Sequence, residues 1–377
     1  MEKHGDGYFK RAVNNQWLTL AGLMIGRSSE GVLRAIPIHP VYSSIMVTQN
    51  CNYKCVMCSF WHRHTPNELE TAEIQRVTRE LRELGIAQVN FTGGEPLLRS
   101  DLAEIVRQTA KNGFVMIQVT TNASLADKER LTELLEAGVG RVAISCDGVG
   151  TNHETQRGVP GAWKKNIAAL DALRELRSTR FPKLEIELAM VASRHSAGDL
   201  GKILALCEEY RAVVHLQFLD NVQYFTGDAD YDGDKLAPPD IDGLIDEVHH
   251  HLQHSAGIDP LLTHEGVEYI RRYLKREDPS IDRPRVSCGV GYAMVYIDSL
   301  GNVYPGCFAV SPIGNVREAP LSKIVNSERH RTLARDMFNM NCPTCPNGYA
   351  WGVFTNPRAI VREAKERAVR RLRTLAG

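Results

Sequence analysis

The sequence predicts an α/β protein built on a parallel sheet, with a smaller cysteine-bearing extension towards its C-terminal end. Three observations carry this. Six strand-like runs alternate with five helical patterns between residues 44 and 220, and strand–helix alternation is the pattern of βα units. The rhythm stops after Asp220. Seven of the nine cysteines fall in two groups, one directly after the first strand and one beyond residue 287.

In chain order, residues 1–43 read as an N-terminal extension with a helix over Tyr8–Ile25 and a link punctuated by Gly31, Pro37 and Pro40. Strands are expected at Ser44–Thr48, Gln88–Thr92, Phe114–Thr120, Arg141–Cys146, Lys183–Val191 and Val213–Leu219. Helices are expected at Thr71–Leu84, Asp101–Asn112, Asp127–Ala137, Ala162–Leu176 and Asp199–Glu209. Such a set suits an open or partly closed barrel over 44–220. A parallel sheet is normally covered on both faces, so its strands can run continuously apolar. Residues 221–287 read as an acidic, Gly/Pro-punctuated loop followed by helices at Asp240–His254 and His264–Lys275. In 288–350, Tyr292–Ile297 and Asn302–Tyr304 flank a turn at Asp298–Gly301, and one helix is expected over Leu321–Phe338. Residues 351–377 hold a basic amphipathic helix, Arg358–Leu375, read as packing on the barrel with a solvated basic face.

Composition narrows the function classes. The 45 Lys+Arg cancel the 45 Asp+Glu, which removes the bulk electrostatic argument for a nucleic-acid or membrane-surface partner. No stretch approaches the roughly 20 apolar residues that span a bilayer, and no secretory signal is visible. A cytoplasmic, reducing location is expected, where clustered cysteines serve as metal ligands or catalytic groups. Nine is odd, so a full set of intrachain disulfides is excluded.

Cys51-Asn-Tyr-Lys-Cys55-Val-Met-Cys58 puts three thiols in the first strand-end loop. Three cysteines can hold three corners of a [4Fe–4S] cluster, which normally takes four thiolates, and so leave one iron open. The alternative is zinc completed by His62 or His64, but zinc sites usually show paired C-x-x-C spacing. Thr92-Gly93-Gly94-Glu95-Pro96 follows the second strand. Its glycines, lacking Cβ, let backbone come close to a ligand, and its carboxylate suits an ammonium group. Thr120-Thr121-Asn122 ends the third strand and Ser145-Cys146-Asp147-Gly148 the fourth. For Asn122 and Ser145, capping or turn formation is the competing role.

With these four motifs in order at successive strand ends, residues 44–220 resemble the radical S-adenosylmethionine (SAM) superfamily. The resemblance implies a partial (β/α)6 barrel and a [4Fe–4S] cluster on Cys51, Cys55 and Cys58. It implies SAM chelated to the open iron and cleaved to a 5′-deoxyadenosyl radical. It also implies cofactor contacts from Thr92, Gly93, Gly94 and Glu95 to the SAM amino group, and from Asn122 and Ser145 to its ribose or carboxylate. Met57 stands where the family often has an aromatic residue. Arg157 and Arg194 are candidates to face the carboxylate, though each reads first as a surface residue.

Cys288, Cys307, Cys342 and Cys345 are enough to close one further [4Fe–4S] cluster or one structural zinc site. The hairpin Ile297–Cys307 and the run Ile313-Gly314-Asn315 resemble a twitch module, the shortened form of the SPASM extension. That implies an α+β extension with a single auxiliary [4Fe–4S] cluster, all its irons held by protein and its role electron transfer. Cys146 and Cys207 read as buried core thiols. Strand alternation puts Cys146 opposite Ser145, towards the helices; its alternative is hydrogen-atom donation to a substrate radical. The tract His249, His250, His251 and His254 reads as a solvated helix face before a metal site. Asp220, ending the last barrel strand, is the candidate catalytic base.

The expected activity is oxidation of a small, polar, carbohydrate-like substrate, a sugar or aminocyclitol hydroxyl, as twitch-bearing relatives suggest. The auxiliary cluster would accept the second electron, and a flavodoxin or ferredoxin would be the electron donor. The alternatives are a peptide maturase, for which the 43 residues before the barrel are fewer than the usual peptide-recognition domain, and an epimerase, deaminase or rearrangement enzyme. A non-catalytic iron–sulfur or zinc scaffold would cleave no SAM.

Overall fold

The computed structural model describes residues 38–63, 65–219, 223–226, 236–254, 264–275, 277 and 288–342. Six strands with helices between them come first. Their strands are β1 (Tyr42–Thr48), β2 (Gln88–Gly93), β3 (Met116–Thr121), β4 (Arg141–Ser145), β5 (Glu185–Ala192) and β6 (Val213–Phe218). The helices among them are α1 (Thr71–Glu83), α2 (Leu102–Lys111), α3 (Lys128–Ala137), α4 (Thr151–Arg157), α5 (Ala162–Thr179) and α6 (Leu200–Tyr210). Then follow α7 (Gln223–Thr226), α8 (Ile241–His254), α9 (His264–Leu274) and α10 (Val290–Ala293). The extension adds β7 (Met294–Ile297), β8 (Asn302–Tyr304), β9 (Gly314–Asn315), α11 (Leu321–Ile324) and α12 (Glu328–Phe338).

Local chemistry sets the helix ends. Glu70 and Glu73 form a reciprocal capping box at the start of α1, and the Asp127 carboxylate accepts the Arg130 N–H at the start of α3. Each arrangement satisfies donors that a helix N-terminus leaves without partners. Strand limits lie within two residues of those expected. Two differences have a local cause. The helix expected over Leu321–Phe338 is broken, because Asn326 adopts φ 69° and Ser327 caps a new helix through His330 N–H. The strand expected from Tyr292 begins at Met294, after the single turn α10.

The sheet order is β6-β5-β4-β3-β2-β1-β7-β8-β9. β1 to β6 are parallel, and β7 is parallel to β1, with Tyr42 opposite Met294 and Ile45 opposite Ile297. β8 and β9 turn back as antiparallel strands. The first strand of the extension thus continues the barrel sheet on the open side of β1.

The strands are not continuously apolar. Ile45, Val47, Val89, Phe91, Ile117, Val119, Ile144, Leu188 and Leu216 face the helices and form the main core. The alternate positions form the concave face, where Ser44, Asn90, Gln118, Thr120, His215 and Gln217 carry polar groups. Thr120 Oγ1 donates to Asn90 Oδ1 at 3.0 Å, and Arg141 Nη1 to Gln118 Oε1 at 3.4 Å. The period-2 pattern is that of a sheet with one apolar and one polar face. Among the described residues no helix is long and apolar enough to cross a membrane. The Tyr8–Ile25 helix, the Arg358–Leu375 helix, His64, Asp220, Cys345 and the side chain of His254 lie outside the described residues.

Candidate functional site

The C-terminal ends of β1, β2 and β3 are stitched into one rim. Thr48 Oγ1 donates to Glu68 Oε2 at 2.8 Å and Gln49 N–H to Glu68 Oε1. Gly94 N–H donates to Thr48 O and Glu95 N–H to Asn50 O, both at 2.8 Å. A Cβ on Gly93 would lie 2.0 Å from Thr48 O, and one on Gly94 2.1 Å from Asn50 O. The missing Cβ atoms here make room for the backbone that leads into Cys51.

Glu95 is fully buried. Its Oε1 accepts Leu97 N–H (2.9 Å) and Thr121 Oγ1–H (2.8 Å), and its Oε2 accepts Asn122 N–H (2.7 Å). Burial pushes its pKa up, against the pull of these donors. Asn122 is carried by the same bond to the cysteine loop, where its Nδ2 donates to Asn52 Oδ1 at 3.0 Å and approaches Cys51 Sγ at 3.9 Å. Thr92 and Ser145 are half-buried on the concave face, and Ser145 O accepts the Asn166 amide at 2.8 Å.

Cys51, Cys55 and Cys58 are outside any disulfide and pack with Tyr53, Met57, Val159 and Ala162. Burial raises all three thiols, Cys55 to about 12, while the Arg157 charge pulls the other way. Arg157 is not a surface residue. Its side chain is 11% exposed and its Nε lies 2.6 Å from Asp147 Oδ2, a carboxylate with no exposure. Nη2 donates to Asp147 Oδ1 at 2.9 Å and Nη1 approaches Cys55 Sγ at 3.9 Å. The reason is α4, which the strand–helix pattern did not show. It returns the chain to the cysteine loop, where Val56 N–H donates to Gln156 O at 3.0 Å. A Cβ on Gly158 would sit 2.1 Å from Lys54 O. The Asp147–Gly148 turn and the Arg157–Gly158 pair, ten residues apart, are the sequence signals for this arrangement. Arg194 is exposed.

These residues fit the group the motif implies. Three thiols share one loop, and a cation and an amide direct N–H groups at their sulfurs, as thiolates of an anionic cluster require. Among the described residues no three His, Cys, Asp or Glu are arranged to hold a single metal ion. In a cubane each thiolate binds a different iron, so its ligands stand further apart. His62, the zinc alternative, is exposed against Trp61.

In the extension, Cys288 is buried and feels both Cys307 and Cys342, with burial the largest cause of a thiol pushed up to about 12. The Cys288 thiol thus lies within electrostatic reach of two of the other three expected ligands. Ala309 N–H donates to Cys307 Sγ at 3.4 Å. Between the two cysteine sites lies an aromatic block in which Phe308 stacks on Tyr224 at 4.4 Å and Phe60 meets Tyr224 and Phe225 at 5.9 and 5.8 Å. Cys146 and Cys207 are core thiols on the helix side, which takes Cys146 away from the concave face. His249 lies 3.6 Å from Glu268 and His251 3.8 Å from Glu247, both half-buried, while His250 is exposed.

Comparison with known proteins follows the same division. The Radical SAM superfamily model matches residues 45–186, and the model of the SPASM iron–sulfur cluster-binding domain matches residues 288–346. The chain is 28% identical over 301 residues to the "AdoMet-dependent heme synthase" of Methanosarcina barkeri, covering 76% of this chain and 82% of that protein. It is 30% identical over 165 residues to the "Fe-coproporphyrin III synthase" of the same organism, covering 43% of this chain and 40% of that protein. In fold it is similar to Streptococcus suis SuiB bound to S-adenosylmethionine, with TM-score 0.59 and 18% identity over 78% of this chain and 68% of that one. It is also similar to anSMEcpe bound to AdoMet and a peptide, with TM-score 0.56 and 18% identity over 86% of this chain and 99% of that one.

Proposed function

Starting from what this chain is, a radical SAM enzyme with a C-terminal SPASM domain, we propose that it oxidises a small, hydroxyl-rich substrate held in the polar concavity of the barrel. The observation that carries this reading is that polar face: Ser44, Asn90, Gln118, Thr120, His215 and Gln217 occupy the positions that alternate with the apolar core. Donors and acceptors of this kind hydrogen-bond hydroxyls and disfavour a purely apolar ligand. When bound, SAM on the [4Fe–4S] cluster of Cys51, Cys55 and Cys58 supplies a hydrogen-abstracting 5′-deoxyadenosyl radical, and an auxiliary cluster on Cys288, Cys307, Cys342 and Cys345 supplies an electron sink.

The chain's own contribution is positional. Asn122 and Ser145 stand on neighbouring strands of the rim, disposed to hold the ribose and carboxylate of the cofactor, and Thr92 to Glu95 to hold its ammonium. Glu95 reaches the ammonium through the backbone it fixes, because its carboxylate oxygens already accept three donors. Asp220 follows β6 and is the proposed proton acceptor from the substrate hydroxyl. The clustered thiols suit the reducing cytoplasm, and a low-potential flavodoxin or ferredoxin is the proposed electron donor.

A second reading has its own support. A relative named for heme synthesis aligns with 76% of this chain, and an aromatic block with Arg63 beside it lies between the cysteine sites. A heme precursor would stack on such rings. One experiment separates the readings. The chain is reconstituted anaerobically and assayed for 5′-deoxyadenosine with aminocyclitols and sugars, with a heme precursor and with peptides. Oxidation at a hydroxyl-bearing carbon supports the first reading. Turnover confined to the heme precursor or to a peptide refutes it.

A further inference from the structure

We propose that Arg157 is a positioning residue that sets how readily the cluster on the first cysteine loop accepts its electron. The inference rests on the reading that Cys51, Cys55 and Cys58 hold that cluster. Three observations carry it. The guanidinium fork commits Nε and Nη2 to Asp147, and its remaining arm, Nη1, points to Cys55 Sγ at 3.9 Å. Asp147 is itself fixed, fully buried and accepting Val191 N–H at 2.9 Å. The backbone around the pair is closed, with Val56 bonded to Gln156 and Gly158 seated against Lys54. A fixed positive charge, largely shielded from water, therefore faces one ligand sulfur.

The sign follows from charge. Uptake of one electron from a low-potential donor makes the cluster and its thiolates more negative, with no proton transferred. An N–H donor on a ligand sulfur and a nearby cation both favour that reduced state, and hydrogen bonds to the sulfurs are among the terms that set cluster potentials. Low local dielectric strengthens the effect. Asp147 plays two opposed parts: it aims the guanidinium and offsets its charge. Removing Arg157 should make the cluster harder to reduce, whereas Asp147→Asn, which keeps a hydrogen-bond acceptor but removes the offset, should make it easier.

The test uses the full chain, reconstituted anaerobically, with iron and sulfide counted first. A parent chain that takes up no cluster on the first loop refutes the underlying reading, separately from this one. Reduction is then followed by EPR at controlled potential, using the signal that changes on addition of SAM. At the potential that half-reduces the parent, Arg157→Gln should lower the reduced-to-oxidised ratio about tenfold, which is about 59 mV for one electron. Arg157→Lys, whose single ammonium cannot span Asp147 and Cys55, should move it the same way, and Asp147→Asn the opposite way. Unchanged ratios in loaded variants, or shifts of one sign in Arg157→Gln and Asp147→Asn, overturn the proposal. If the variants take up no cluster, the parent decides: with 15N-guanidino arginine, the reduced SAM-responsive cluster should show a 15N coupling in pulsed EPR, and its absence overturns the proposal.

Discussion

Glu95→Gln tests the rim at its centre. The substitution keeps size and removes charge. In the parent, two oxygens accept three donors, at 2.7, 2.8 and 2.9 Å, in a fully buried position. Glutamine offers one oxygen. If that oxygen keeps Leu97 N–H and Thr121 Oγ1–H, the amide nitrogen faces Asn122 N–H, donor against donor. The loss is at least one bond to a charged acceptor, about 1.5–3 kcal/mol, together with a buried N–H left without an acceptor. A net destabilisation of about 2–4 kcal/mol is expected from these overlapping terms. Urea unfolding of the cluster-free protein at pH 7.5 measures it, with Thr121→Val in a double-mutant cycle. A difference below about 0.5 kcal/mol, the ordinary scale of a neutral surface change, would refute the reasoning. It would mean that burial has won and Glu95 is protonated in the parent, since a neutral acid and an amide are nearly isosteric.

Other outcomes follow from single features. Gly94→Ala places Cβ 2.1 Å from Asn50 O, and overpacking of this kind costs about 1–3 kcal/mol; iron analysis should show loss of the first cluster with the auxiliary cluster kept. His330 is buried, with Nε2 against Gly291 O at 3.0 Å, and burial pushes its pKa down to about 4. Its unfolded value is about 6.5, so its stabilising contribution is complete above that pH and is lost as pH falls through the folded value, about 3 kcal/mol in all. Unfolding of the cluster-free protein between pH 7 and 4 should show this slope, and His330→Gln should flatten it. Arg317 holds Glu73 at about 2 through a two-pronged ion pair at 2.7 and 2.8 Å. Because that pair is partly exposed, Glu73→Gln should cost about 1 kcal/mol or less at pH 7, with the difference vanishing in acid as pH falls through the folded value.

The strand–helix alternation, the order of motifs at strand ends and the sorting of cysteines into two groups were legible because each is a local pattern. The polar concave face was legible too: Gln88–Gly93 and 214–218 alternate apolar and polar residues. The expectation of continuous apolar strands came from sheets covered by helices on both faces, and this sheet is curved so that only one face meets them. The burial of Arg157 was not legible. A charged residue beside glycine has no spacing that names the sulfur it will face, since that depends on where α4 returns. The pairing of β7 with β1 was equally hidden. The two strands lie some 250 residues apart, and parallel pairing leaves no turn between partners to announce it. The break at Asn326–Ser327 carried an N-cap residue in plain sight, masked by the apolar spacing on either side.

The insertion of β1 between β2 and β7 bears on how this enzyme can be taken apart or recombined. A fragment ending at residue 219 would leave Tyr42–Thr48, a mostly buried strand, with one edge of unpaired backbone, a template for association with other chains. Cutting the protein into a barrel and an extension should therefore yield an aggregating fragment rather than a simpler enzyme. A chimera that borrows its extension from a relative would have to supply a strand in the register that sets Tyr42 opposite Met294. A shift of one residue there would turn Tyr296 into the helix-side core and Ile297 towards the concave face, so compatibility between halves is decided at four residue pairs rather than at the cysteines.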